Sequence, residues 1–306
     1  MMRFNFIKNT ALFVIIFLSC ENIKSSKYEI SVGANQLEIY LPKLKNKSIG
    51  IVANQTSVIF KKNTIISVDN YNKKKSYTHL VDSLIKRGVN IKKVFSPEHG
   101  YRGASDAGEY VSDNFDKKTG LPIVSLYGVN RIPNPETLKG LDIIIFDIQD
   151  IGTRFYTFIS TLHYMMEACA NLNIPMILLD RPNPNISYVD GPVLDMKYKS
   201  FVGMHPVPIV HGMTIGEFAK MINGEGWLGG ELKCDLTVVP VMNYSRKTAY
   251  SLPIKPSPNL PNDKAINLYP SLCLFEGTNV SVGRGIEMQF QIFGSPYLNT
   301  CLLYTS

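Results

Sequence analysis

The sequence predicts an α/β protein built on a mostly parallel, doubly wound sheet. Strand-like and helix-like segments alternate from residue 48 to residue 240, which argues for strand–helix–strand units joined by crossovers. Two strand-like runs, 141–147 and 175–180, are nearly all apolar, as strands covered on both faces must be. Four polar clusters follow such runs: Ser96-Pro97-Glu98-His99-Gly100, Asp147-Ile148-Gln149-Asp150, Asp180-Arg181-Pro182-Asn183 and Glu276-Gly277-Thr278-Asn279. Open sheets of this kind bind ligands outside the carboxyl ends of their strands, so acids, amides, a His and an Arg are expected around one crevice. That chemistry suits a polar, hydroxyl-rich substrate.

Each element has its own signal. A strand is expected at 48–54 from Ile49, Ile51 and Val52, running into Asn54-Gln55-Thr56. A helix is expected at 78–87, with Thr78 as cap, Leu80, Val81, Leu84 and Ile85 on one face, and Gly88 as stop. Strands are expected at 91–95, 122–126, 141–147, 175–180 and 236–240. Helices are expected at 155–172 and at 214–223, the latter after the cap-like Thr214. From residue 241 the pattern changes. Pro253, Pro256, Pro258 and Pro261 predict an extended loop followed by mixed strand-like segments, read as the start of a second domain.

At 45% apolar and 19% charged the chain reads as globular. Much of its +7 formal charge sits in lysine-rich loops (Lys43, Lys45, Lys47; Lys61, Lys62; Lys73, Lys74, Lys75), which are expected to be solvated. The remainder suits an anionic partner such as wall polymer or lipid headgroups. No basic helix or basic–aromatic module points to nucleic acid.

At the N-terminus, Arg3 and Lys8 precede an apolar stretch from Ala11 to Leu18, then Ser19-Cys20. This describes a secretory signal too short to span a membrane. The Cys after a small residue resembles a bacterial lipoprotein box, although Phe17 stands where Leu is usual. Residues 1–20 are therefore expected to be a lipoprotein signal with Cys20 lipidated, and 21–32 a polar tether. Such an anchor places the protein in the cell envelope, on the periplasmic side or at the outer membrane. Cys169, Cys234 and Cys273 are scattered singly and are expected to be buried free thiols, with neither disulfide framework nor metal spacing. Residues 301–306 complete no element and read as a non-native tail on a truncated chain.

The motifs each allow a functional and a structural reading. Glu98 follows the 91–95 strand at the mouth of the expected crevice. It can act as a general acid if burial raises its pKa, with His99 orienting it, or it can simply pair with Arg102. Asp147, Gln149, Asp150, Arg154 and Tyr156 crowd ten residues, more than capping the next helix requires, although Asp150 or Thr153 could be that cap. Asp180, Arg181 and Asn183 are either substrate contacts or turn chemistry. His205 and His211 flank an apolar stretch without metal-ligand spacing. Gly283-Arg284-Gly285 lacks the third glycine of a dinucleotide fingerprint, and neither a Walker loop nor a Gly-x-Ser-x-Gly elbow occurs, so no nucleotide cofactor and no metal is expected.

These residues fall in an order that carries a resemblance. Gly50–Thr56 with Asn54, Ser96–Gly100 with Arg102-Gly103, Asp147–Gly152 with Arg154-Phe155-Tyr156, Leu179–Pro184, Gly191–Leu194, Pro256–Pro261 and Leu274–Gly285 together resemble the exo-β-N-acetylmuramidases, a glycoside hydrolase family. The likeness runs from about residue 33 to 297. It implies a Rossmann-like N-terminal domain (33–240), a smaller α+β domain beginning at 241–300 and incomplete here, and an active site in the cleft between them. The implied reaction releases terminal N-acetylmuramic acid from the non-reducing ends of peptidoglycan fragments. This chain departs from the family at Gly283-Arg284-Gly285-Ile286-Glu287, where Thr usually follows the second Gly.

Glycoside hydrolysis usually needs two carboxyl groups. Glu98 is the expected acid; Asp147 or Asp150 is expected as the second, with Glu276 behind them. The lactyl carboxylate of the sugar suits an Arg fork, for which Arg102, Arg154, Arg181 and Arg284 are candidates. Asn54, His99, Gln149, Tyr156, Asp180, Asn183, His211 and Asn279 complete the expected substrate contacts. Two rivals remain at this level: an exo-β-N-acetylglucosaminidase, and a non-catalytic, lipid-anchored protein that binds wall sugars.

Overall fold

The computed structural model describes residues 29–61, 77–102 and 114–298; the expected signal with Cys20, most of the tether and the 301–306 tail lie outside them. In chain order the strands are β1 (Ile49–Ala53), β2 (Val58–Phe60), β3 (Tyr77–His79), β4 (Ile91–Ser96), β5 (Asn114–Phe115), β6 (Pro122–Ser125), β7 (Ile143–Asp147), β8 (Met176–Leu179) and β9 (Leu236–Val239). The helices are α1 (Leu37–Tyr40), α2 (Leu80–Ile85), α3 (Pro135–Leu138), α4 (Phe158–Asn171), α5 (Ile215–Gly224) and α6 (Asp263–Leu272).

Seven strands form one sheet in the order β5-β6-β4-β1-β7-β8-β9, all parallel except the edge strand β5. The chain winds outward from β1 through β4 to β6, then returns to β7 on the other side of β1. The order therefore reverses between β1 and β7, as in a Rossmann-like fold. Every residue of β1, β7 and β8 is buried, which explains their apolar sequences. Alternate residues divide between two cores. Val52, Ile144, Phe146, Met176 and Leu178 face the layer of α4 and α5, whereas Ile51, Ile143, Ile145, Ile177 and Leu179 face α2 and the N-terminal Val32, Tyr40 and Leu44.

Three elements differ from the sequence reading. Thr78 caps nothing: it lies in β3, which pairs antiparallel with β2 in a separate hairpin, and His79 caps α2 by accepting from the Val81 amide at 3.3 Å. The helix expected from residue 155 begins at Phe158, because Thr153–Tyr156 closes a turn first (Tyr156 N to Thr153 O, 2.9 Å). The proline-rich stretch leads into a helix and not into strands. Asn262 caps α6 by accepting from Ala265 N at 2.9 Å, and a 3₁₀ turn, Cys273–Gly277, follows.

Tyr250, Leu252, Leu260, Ile266, Tyr269 and Phe290 join the same apolar cluster as α4 and the sheet. At the other end, Ser31 bridges to Met242 and Val32 is buried, so residues placed in the tether by sequence already belong to the fold.

Candidate active site

A cavity of about 370 Å³ opens where the loops after β4 and β7 meet residues 257–290. That volume falls in the range of small-ligand sites. Aromatic rings make much of its wall: Tyr156 packs edge-on against Phe158 and Tyr269 (centroids 4.9 and 5.9 Å apart), and Tyr269 packs edge-on against Phe290 at 4.9 Å. Such a set gives a rigid apolar surface for the faces of a ring, with polar groups at its rim.

Glu98 and His99 reach the cavity from the turn that ends β4. The turn closes through Gly100 N donating to Pro97 O at 3.2 Å and holds buried His99 at φ 71°. A non-glycine residue in the left-handed region is uncommon and persists where surrounding contacts fix it. The Glu98 carboxylate accepts from Thr157 Oγ1 at 3.2 Å and lies near the Tyr127 phenol. Burial raises the Tyr127 phenol, and the nearby Glu98 charge raises it further.

The second carboxylate in the wall is Glu276, from the 3₁₀ turn after α6. Arg284 pairs with it at 2.6 Å and the Cys273 thiol donates to it at 3.2 Å. Cys273 is thus a half-buried cavity residue and not the fully buried thiol expected, unlike Cys169 and Cys234; burial pushes its thiol up to about 12.

At the strand ends a second set of polar residues is buried. Asp147 is fully buried and takes a two-pronged contact from Arg181 (2.6 and 2.8 Å), which also donates to Val58 O at 3.0 Å. Burial pushes the Asp147 carboxyl up, and the guanidinium pulls against it. The pair occupies the crevice at the strand-order reversal, where a Rossmann-like protein would hold a ligand. Asn54 accepts from Thr56 N and Thr56 Oγ1 (2.9 and 2.5 Å), and Gln149 donates to Asp150 O and Pro182 O (2.7 and 2.6 Å).

Asp180 accepts from Arg181 N, Thr214 Oγ1 and Gly216 N at 2.8–2.9 Å, fastening the first turn of α5. Any side chain at Gly216 would strike that carboxyl, 2.6 Å from an ideal Cβ. Burial raises Asp180 to about 6 against those three hydrogen bonds. Asn183 donates to Met213 O at 2.9 Å and lies so close to Gly152 (φ 78°) that only glycine fits there.

Asp150 is buried beside Gln149 in the loop that carries Tyr156 to the cavity. Its Oδ2 accepts from Gly152 N at 2.7 Å and stands 3.6 Å from His211 Nε2, whereas Oδ1 has no hydrogen-bond partner among the described residues. His211 Nδ1 accepts from Met213 N at 3.3 Å, so the neutral ring carries its proton on Nε2, toward Asp150.

Of the expected site residues, the fold brings Glu98, His99, Tyr156, Glu276 and Arg284 to the cavity wall. It buries Asn54, Asp147, Gln149, Asp150, Asp180, Arg181, Asn183 and His211 outside that wall. Arg102 instead pairs with Asp116 and Asp82, Arg154 supports Pro192 O and Val207 O, and Asn279 is exposed outside the cavity wall. Sequence reasoning missed Thr157, Tyr127, Tyr269 and Ser257. Thr157 opens α4 yet makes no side-chain cap, which only the folded chain shows.

Comparison with known proteins gives one consistent family. A family model described as exo-beta-N-acetylmuramidase NamZ, N-terminal, matches residues 49–264, and its C-terminal counterpart matches 267–306. The peptidoglycan beta-N-acetylmuramidase NamZ of Bacillus subtilis is 41% identical over 287 residues, covering 92% of this chain and 65% of that protein. The chain thus spans less than two thirds of the length of this curated relative. Two crystal structures of DUF1343 family proteins from Bacteroides fragilis are also similar. One is 49% identical with a TM-score of 0.75, covering 88% of this chain and 68% of that one; the other is 34% identical with a TM-score of 0.76, covering 90% and 70%.

Proposed function

The chain belongs to the NamZ family of exo-beta-N-acetylmuramidases, and from that membership and its cavity we propose that it removes terminal β-linked N-acetylmuramic acid from the non-reducing ends of peptidoglycan fragments. The observation that carries this reading is the pair Glu98 and Glu276. They come from distant parts of the sequence and are the carboxylates of the cavity wall among the described residues.

In this mechanism Glu98 gives its proton to the leaving glycosidic oxygen, and Thr157 fixes the carboxyl that does so. Glu276, held by Arg284 and Cys273, is the second carboxylate. It takes the place first given to Asp147 or Asp150, neither of which lines the cavity; both Asp147 oxygens are occupied by Arg181. Asp150, sealed with His211, supports the loop that carries Tyr156. The aromatic wall takes the apolar face of the sugar.

The test is incubation of the full-length protein with a muramyl disaccharide, with the released sugar read by mass spectrometry. Free N-acetylmuramic acid is the expected product. No release, or release from N-acetylglucosamine glycosides alone, would overturn the reading. The anomer formed first, followed by proton NMR, assigns Glu276 as base if it is inverted; if it is retained, the nucleophile is Glu276 or the sugar's own acetamide, which Glu276 would then orient.

Lipidation of Cys20 and attachment to the cell envelope belong to the same proposal. Support comes from Arg3, Lys8, the apolar run from Ala11 to Leu18, and Ser19-Cys20. Cys20→Ala should move the protein from the membrane fraction to the soluble fraction; unchanged fractionation would remove the anchor from the account.

A further inference from the structure

The proposed substrate carries a negative charge that N-acetylglucosamine lacks: the carboxylate of its lactyl ether. A guanidinium is the side chain best matched to a carboxylate. The four arginines singled out from sequence already have partners: Arg102 has Asp82 and Asp116, Arg154 two carbonyls, Arg181 Asp147, and Arg284, in the cavity wall itself, has the proposed second carboxylate Glu276.

Arg131 differs. It follows the 3₁₀ turn Gly128–Asn130 beyond β6, is exposed, and its guanidinium makes no hydrogen bond or ion pair among the described residues. One contact ties it to the cavity mouth. The guanidinium lies over the Phe201 ring, 4.5 Å from its centroid, and the next residue, Val202, is part of the cavity wall. Phe201 is itself fixed, with its ring stacked on Tyr164 and its carbonyl accepting from Ser160 Oγ at 2.7 Å. The Arg131 charge also reaches the Tyr127 phenol, which lies near Glu98. Stacking on one face orients a guanidinium while leaving its N–H edge available.

We propose that Arg131 binds the lactyl carboxylate of the terminal sugar at the mouth of the Glu98 cavity and thereby sets the preference for N-acetylmuramic acid over N-acetylglucosamine. This rests on the muramidase reading of the same cavity. Arg131 then acts on specificity and not on the proton transfer. The alternative is that it merely props the Phe201 loop.

The experiment compares wild-type and Arg131→Ala full-length protein. Binding of free N-acetylmuramic acid and N-acetylglucosamine is measured by calorimetry, and turnover of chromogenic glycosides of both sugars is measured alongside. Arg131→Ala should raise Kd and KM for the muramic sugar about 10- to 100-fold, the range of one hydrogen-bonded charge contact, with kcat and the N-acetylglucosamine constants unchanged. Arg131→Lys should fall between. Equal losses for both sugars would assign Arg131 the propping role and overturn the proposal, as would unchanged muramic affinity. A wild-type protein that prefers the muramic sugar without cleaving its glycoside would sink the hydrolase reading and leave this inference standing. One that binds both sugars equally would overturn the inference.

Discussion

The Thr157 hydroxyl donates to the Glu98 carboxylate at 3.2 Å, although Thr157 stands at the position from which a threonine ordinarily caps its own helix. The start of α4 is thereby linked to the turn after β4. A capping bond is given up where the side chain is aimed at the proposed acid.

Thr157→Val keeps the branched shape and removes this bond. Because the hydroxyl caps nothing, stability should hardly change. The kcat for a muramic acid glycoside should fall about 2- to 10-fold, the worth of one neutral hydrogen bond, with KM held. A fall in Tm with kcat intact would return Thr157 to an ordinary capping role.

Asp147 and Arg181 should behave as a structural pair. Removing one partner of a buried ion pair typically costs about 3–5 kcal/mol, because the other charge is left uncompensated. Arg181→Met should therefore lower the urea midpoint strongly, and Asp147→Asn should do the same. Replacing both should cost less than the sum of the two. If Asp147→Asn instead folds with normal stability and loses turnover, Asp147 belongs to the chemistry.

Three buried histidines should cost the fold stability in acid. Burial lowers His79 and His163 to about 4 and His205 to about 3, and His205 and His163 share a 3.0 Å ring–ring hydrogen bond. For a base whose folded pKa is depressed below about 6.5, the unfolded chain takes up the proton first. Stability is then full above pH 6.5 and is lost as pH falls toward 4, each imidazole contributing up to about 1.4 kcal/mol per pH unit. Asp180, raised to about 6, works in the opposite sense over part of that window. Urea midpoints should fall between pH 7 and pH 5, and the fall should shrink in His205→Phe. A midpoint that does not change between those pH values would show that these rings titrate normally.

The sheet was legible in the sequence because strands buried on both faces admit little but apolar residues, as β7 and β8 show. The β2–β3 hairpin was not. Tyr77-Thr78-His79 runs directly into the apolar spacing of α2, and its pairing partner lies in another segment. α6 was hidden by the prolines that precede it. At the site, Glu98 could be found from its position after β4. Asp147 and Arg181 could not be sorted from substrate contacts, since a sealed ion pair and a binding fork use the same residue types. Tyr127, Thr157 and Arg131 reach Glu98 or its cavity only through tertiary packing, which no local spacing reveals.

The most direct test is turnover of a muramyl disaccharide by the full-length protein and by its Glu98→Gln variant, with circular dichroism confirming that both fold. Glutamine keeps the shape of Glu98 and an acceptor for Thr157 but has no proton to give. The account predicts release of N-acetylmuramic acid by the wild type and a loss of at least about 10²-fold in the variant, the usual share of a general acid. Near-normal release by a folded Glu98→Gln protein would contradict it.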